Sequence, residues 1–185
     1  MQARIKQIAR REIKRFGLRR FTMDDVAAQL GISKKTLYKF FLSKGELIHA
    51  VLSDDLQKDK EMLLEAIANE GNWFDQLSAT LSFAAQNQIS NDLWDEIRMY
   101  FPEEEKEINE FLAFQKEQIG LLLEEGLSKG EIEPWFDLDN LLTIIIGLIR
   151  ISKLQMEADP ESSESPNLME DIKKLIFFGL IKRTW

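Results

Sequence analysis

The chain has 185 residues, 44% of them hydrophobic and none of them cysteine, so it can build one large domain or a small domain joined to a larger one, without disulfides or thiolate metal ligands. Its net charge of -8 is unevenly divided: residues 1–52 hold twelve Lys or Arg against four Asp or Glu, and residues 53–185 hold twelve against twenty-eight. Overall acidity therefore does not exclude a phosphate-bearing partner, because a +8 head is drawn to a duplex while a -16 body is repelled and favours head-first docking.

The N-terminus is charged and amphipathic, unlike a secretory signal. The longest apolar run, Leu141 to Ile149, is about half of the ~20 residues needed to span a bilayer. These features, with the lack of cysteine, predict a cytoplasmic protein without a membrane partner.

Apolar residues recur every three to four positions almost throughout, and no stretch alternates as a strand does, so the predicted class is all-α with about nine helices. A first helix over residues 2–16 gathers Ile5, Ile8, Ala9 and Ile13 on one side and ends at Gly17. Thr22 caps a second helix from Met23, with Asp24 and Asp25 at its positive end and Val26, Ala27 and Leu30 on its buried face. Gly31 closes it in a left-handed turn, Ile32 fills the bend and Ser33 caps a third helix. There Leu37 and Phe40 or Phe41 turn inward, leaving Lys34, Lys35, Thr36, Tyr38 and Lys39 on or near the outer side. This is a helix-turn-helix, whose second helix is small enough to enter a major groove.

Ser43 caps a bridging helix through Leu47, Ile48, Val51 and Leu56 to about Ala68. Two helices are predicted over Trp73 to Ser90 and Asn91 to Tyr100, then a long one from Glu103 after Pro102 that weakens at Gly126 and stops at Gly130. Asp137 or Asp139 starts the most apolar helix, to about Ala158. Asp159 to Pro166 is a Pro/Ser/Glu loop, and Ser165-Pro166 opens a last helix through Ile172, Leu175, Ile176 and Ile181.

With Gly17, Thr22, Val26-Ala27, Gly31-Ile32-Ser33, Thr36-Leu37-Tyr38, Phe41, Ser43-Lys44 and Leu47 in place, residues 5–52 resemble the head of the TetR family of bacterial transcriptional regulators. Residues 119–148, running through Gly126 into Gly130-Glu131-Ile132 and then Asp139, resemble its weaker second signature. The resemblance implies a DNA-binding domain at residues 1–48 and a ligand-binding and dimerising domain at residues 49–185. Thr22, Tyr38 and Lys44 would meet phosphates, Ser33 would cap the recognition helix, Lys34, Lys35 and Thr36 would face base edges, and Lys39 would touch backbone. The chain departs from the family's pattern at Ile13, often aromatic, Phe21, often Thr, and Gly45, often acidic. Gly45 weakens the start of the bridging helix by up to ~1 kcal/mol.

A single head covers only a few base pairs, so specific binding to a palindromic operator calls for a homodimer. The expected interface lies on the two apolar C-terminal helices, with Leu142, Ile145, Ile149, Ile172, Leu175 and Ile176 as candidates. The middle helices are rich in aromatics, and Phe83, Gln86, Trp94, Arg98, Tyr100, Phe111 and Phe114 are candidates for a largely apolar effector pocket. No cofactor, metal site or nucleophile–base pair is expected. His49 reads as a surface or packing residue, and the Glu103-Glu104-Glu105 run as a helix-start charge preference. The expected function is a repressor released by a small molecule. The alternatives are a helical protein–protein adaptor or an enzyme on a helical bundle.

Overall fold

The structure, a computed structural model, describes residues 1–86, 91–158 and 168–180. Among them the chain forms nine α-helices and no β-strand: α1 (Gln2–Arg20), α2 (Met23–Leu30), α3 (Lys34–Leu37), α4 (Lys44–Ala68), α5 (Trp73–Gln86), α6 (Asn91–Tyr100), α7 (Pro102–Ser128), α8 (Leu138–Ala158) and α9 (Leu168–Leu180). The predicted all-α class is what the chain adopts. The expected run of the fifth helix to Ser90, the Asp159 to Pro166 loop with its Ser165-Pro166 start, and Ile181 lie outside the described residues.

Two compact units divide these helices. The first takes α1 to α3, α4 to Asp59, α6 and α7 to Glu110; the second takes the rest of α4 and α7 with α5, α8 and α9. Ile5, Ala9, Leu18, Val26, Leu37, Leu47, Ile48, Val51 and Ile97 form the buried centre of the first unit. They come from five of its six helices, α1 to α4 and α6, so the head has a core of its own, reinforced by α6. Lys6 pairs with Asp54 and Arg10 with Asp55, fastening the outer edge of α1 to α4.

The first helix differs from its expected end. It is regular to Phe16, breaks at Gly17 (φ 79°, ψ 172°) and resumes for one turn to Arg20. Glycine populates that left-handed region without strain, which is why the break falls there. Gly31 (φ 65°) ends α2 with Gly31 N–H on Ala28 O and Ile32 N–H on Ala27 O, both 3.1 Å. Gly130 (φ 70°) ends α7 in the same pattern.

In the second unit Trp73, Leu77 and Leu81 of α5 pack with Ile119, Leu122 and Leu123 of α7, Leu141 and Ile145 of α8 and Ile172 and Ile176 of α9. Trp73 Nε1 donates to Glu131 at 2.6 Å, so the buried ring keeps its polar edge satisfied. Among the described residues no helix is long and apolar enough to cross a membrane.

Candidate nucleic-acid interface

The local chemistry of residues 22–46 sets the reading face. Thr22 forms a reciprocal capping box: its hydroxyl accepts Asp25 N–H at 3.1 Å and donates to Asp25 Oδ2 at 2.6 Å, while that carboxylate also accepts Thr22 N–H at 3.0 Å. Ser33 caps α3 by accepting Thr36 N–H at 3.0 Å, and its hydroxyl meets that of Thr36 at 2.8 Å. Ser43 accepts Glu46 N–H at 3.0 Å, and Glu46 reaches back to accept Leu42 N–H at 2.6 Å. Three caps fix three helix starts.

The reading helix is shorter than the sequence suggests. Its α-helical part ends at Leu37, after which Lys39 N–H and Phe40 N–H bond three residues back, tightening the last turn. Leu37 (0% exposed) and Phe41 (4%) anchor it, with Phe40 half-buried beside them. Lys35, Tyr38 and Lys39 are exposed, and Thr36 is half-buried. Lys35 and Lys39 make no ion pair among the described residues.

Two predicted contacts are already engaged within the head. Lys34 Nζ lies 2.8 Å and 3.0 Å from the Asp24 carboxylate oxygens, and that hydrogen bond holds its ammonium pKa above the usual lysine value. Lys44 Nζ donates to Arg19 O at 2.8 Å and stands 4.4 Å from the Phe21 ring centroid. Burial lowers its pKa, opposed by the nearby Glu96. Arg19 and Arg20, both exposed, precede the motif, and sequence reading passed over them.

Reading also missed Glu96. Its Oε2 accepts Leu18 N–H at 2.6 Å and lies 3.4 Å from Arg19 N, clamping the α1 break from α6. Nothing in a string of residues joins positions 78 apart. Arg19 in turn lies 4.5 Å over the Tyr100 ring.

The seven effector candidates fall into both units. Trp94, half-buried, and Arg98 and Tyr100, exposed, belong to the first; Phe83 and Phe111, buried, Phe114, half-buried under Lys60, and Gln86, exposed, belong to the second. Of the interface candidates, Ile145, Ile172 and Ile176 lie in the second unit's own core, Leu142 and Ile149 are half-buried, and Leu175 is 71% exposed. The reason is helical phase: the apolar positions of α8 and α9 run round more than one face, and the inner face closes the protomer. The outer apolar surface is carried by Ile144, Ile151, Leu154, Leu175 and Phe178.

Residues 6–51 match the sequence profile of the bacterial regulatory proteins of the tetR family. The HTH-type transcriptional regulator YvaF of Bacillus subtilis is 40% identical over 70 residues, which are 38% of this chain and 36% of that protein. The chain thus matches about a third of that relative's length. Among solved structures, a transcriptional regulator from Saccharomonospora viridis in complex with choline superposes with a TM-score of 0.82 at 18% identity, covering 98% of each chain. The regulator FadR of Bacillus subtilis in complex with stearoyl-CoA gives 0.70 at 19% identity over 97% of this chain and 99% of that one. At these identities the superpositions establish the fold.

Proposed function

We propose that this chain, whose residues 6–51 match the profile of the tetR family of bacterial regulatory proteins, is a cytoplasmic DNA-binding transcriptional repressor that reads a palindromic operator as a homodimer and lets go when a small, largely apolar molecule occupies its body. The single observation that carries the reading is the capped helix-turn-helix whose outer side offers Lys35, Tyr38 and Lys39 unpaired with carboxylates. Residues 1–48 are the DNA-binding part and residues 49–185 the effector and dimerisation part.

In this reading Lys35 and Thr36 face base edges and Tyr38 donates to a phosphate. Lys34 joins them by exchanging Asp24 for DNA, and Lys39 touches backbone. Ser33 holds the helix start. Lys44, already bound to Arg19 O, orients the corner, while the free N–H groups at the start of α4 meet phosphate beside Arg20; Gly45 leaves that backbone uncovered. Thr22 keeps the entry of α2 in register and reaches a phosphate only by turning its hydroxyl from Asp25.

The outer apolar residues of α8 and α9, continuous with Leu142 and Ile149, pair with those of a second copy. Phe83, Phe111 and Phe114 remain the effector candidates of the body, with Gln86, and Trp94, Arg98 and Tyr100 those nearer the head. The two superposed regulators that hold choline and stearoyl-CoA support a small-molecule effector without identifying it. A ligand can release DNA only by its differential affinity for the two head spacings.

Selection of bound duplexes from a random library tests the proposal. It expects an inverted repeat whose half-sites are about one helical turn apart, bound by a species of twice the chain's 21.5 kDa. Recovery of no preferred sequence, with binding equal to that of any polyanion, favours the adaptor reading instead.

A further inference from the structure

Along α7 the inward residues recur every three or four positions, at Phe111, Gln115, Ile119 and Leu122, and Gln115 is the polar one among them. It is 6% exposed, and its side-chain Nε2 has no hydrogen-bond partner among the described residues. A primary amide carries two N–H donors, and burial without an acceptor forfeits the bonds that both made to water. Such a group calls for a partner. Arg10 Nη2, also buried and without a hydrogen bond, is not comparable, because the Asp55 carboxylate pairs with it.

The surroundings of Gln115 restrict what that partner is. From α7 the packed core of the second unit takes Ile119, Leu122 and Leu123 and, among the described residues, nothing before Ile119, so Gln115 stands where that core stops. One turn earlier is the buried Phe111, and the same unit holds Phe83, Phe114 and Gln86. A trapped water needs about two to four polar partners, whereas Phe111 and Ile119, the neighbours of Gln115 on its face, carry no polar side-chain atom. An anion is disfavoured too. A carboxylate entering an apolar site needs a cation, and the unit's buried Lys173 is already paired with Glu170 and donates to Ser82 at 3.0 Å.

We propose that the effector is a neutral, largely apolar molecule bearing a carbonyl oxygen, and that Gln115 Nε2 donates to that oxygen. The proposal rests on the reading of residues 49–185 as an effector domain and gives that domain its polar determinant, at a position absent from the sequence-derived candidates. Aromatic side chains supply the area, and the amide sets the orientation.

The test uses the full chain and two probes of nearly the same shape, acetophenone and ethylbenzene, the first with a carbonyl where the second has a methylene. Each is titrated into the wild type and Gln115→Met, which keeps the side chain's length and removes the amide, so ethylbenzene corrects for any change in shape. The variant should weaken acetophenone about fivefold or more relative to ethylbenzene. In the wild type, the Gln115 side-chain amide protons should lie downfield in the acetophenone complex compared with the ethylbenzene complex, and benzoate at neutral pH should bind more weakly than acetophenone. Without any probe, Gln115→Met should melt no lower than the wild type, because an amide without a partner is replaced by an apolar group. A lower Tm would show the amide to be satisfied within the protein and overturns the proposal. Equal losses for both probes, amide signals alike in both complexes, or benzoate binding more tightly than acetophenone overturns it as well, while leaving the effector domain standing. If neither probe binds, the effector-domain reading falls with it. The wild-type arms do not depend on a variant folding.

Discussion

Glu96 closes over Gly17: its Oε2 accepts the N–H of Leu18 at 2.6 Å, and a Cβ placed on Gly17 would stand 2.9 Å from that oxygen. The pair joins two demands at one residue, a left-handed backbone and an absent side chain, so that α6 can satisfy the amide freed by the break in α1.

Gly17→Ala should lower stability by about 1–3 kcal/mol, because φ stays positive and the Glu96 carboxylate must swing away from Leu18. In a Glu96→Ala background the same change should cost about 1 kcal/mol less, the coupling of residues in contact. Urea melts of the four proteins measure this; strictly additive effects would show that the clamp holds nothing.

Asp24→Asn frees Lys34 from the carboxylate 2.8 Å from its ammonium and removes a negative charge beside the reading helix. Both side chains are exposed, so melting should move by little. Binding to a mixed-sequence duplex should tighten, and the log–log salt slope should steepen by up to ~0.9 as one more phosphate is met. Lys35→Ala should shift both in the opposite direction. Fluorescence anisotropy across a salt series decides, and slopes unchanged in both variants count against the assigned face.

Asp59 has its pKa raised, first by burial and then by the neighbouring Asp55. The native state therefore holds the proton more tightly than the unfolded chain, so its contribution to stability is present below the ordinary aspartate value of 3.8 and is lost as pH rises through the higher folded value. Asp59→Asn should accordingly stabilise the protein at neutral pH and make no difference in strong acid. Chemical denaturation at several pH values checks the sign, and a variant less stable at pH 7 contradicts it.

Gly126 is packed against its neighbours: a Cβ there would lie 2.9 Å from the Trp73 ring and from Ile132 Cδ1. Gly126→Ala gains helix propensity, yet overpacking of about 1–3 kcal/mol should outweigh the ~1 kcal/mol gained. Thermal unfolding should show a lower Tm, with altered Trp73 fluorescence. An unchanged or raised Tm would mean that the ring moves aside freely.

Leu175 and Phe178 are each 71% exposed on α9. Placing glutamate at either position should convert a dimer to monomer while leaving the protomer folded, whereas Ile176→Glu, 7% exposed in the core, should unfold it. Light scattering paired with circular dichroism separates the two; a wild-type monomer, or dimers that persist in both surface variants, removes α9 from the interface.

Residues close in sequence were legible because their structure is made by local bonds. The caps at Thr22, Ser33 and Ser43, the left-handed Gly31 and the inward Leu37 follow from spacing alone, since each acts within four residues of itself. The all-α class followed from periodicity for the same reason. What the order of residues left open was decided by packing: which side of α8 and α9 closes the protomer, that Lys34 rests on Asp24 and Lys44 on Arg19 O, and that Glu96 and Glu104 sit half-buried and buried instead of solvated. Helical phase tells which residues share a face, whereas only the neighbouring helices determine what that face meets, and a charge's partner depends on that meeting.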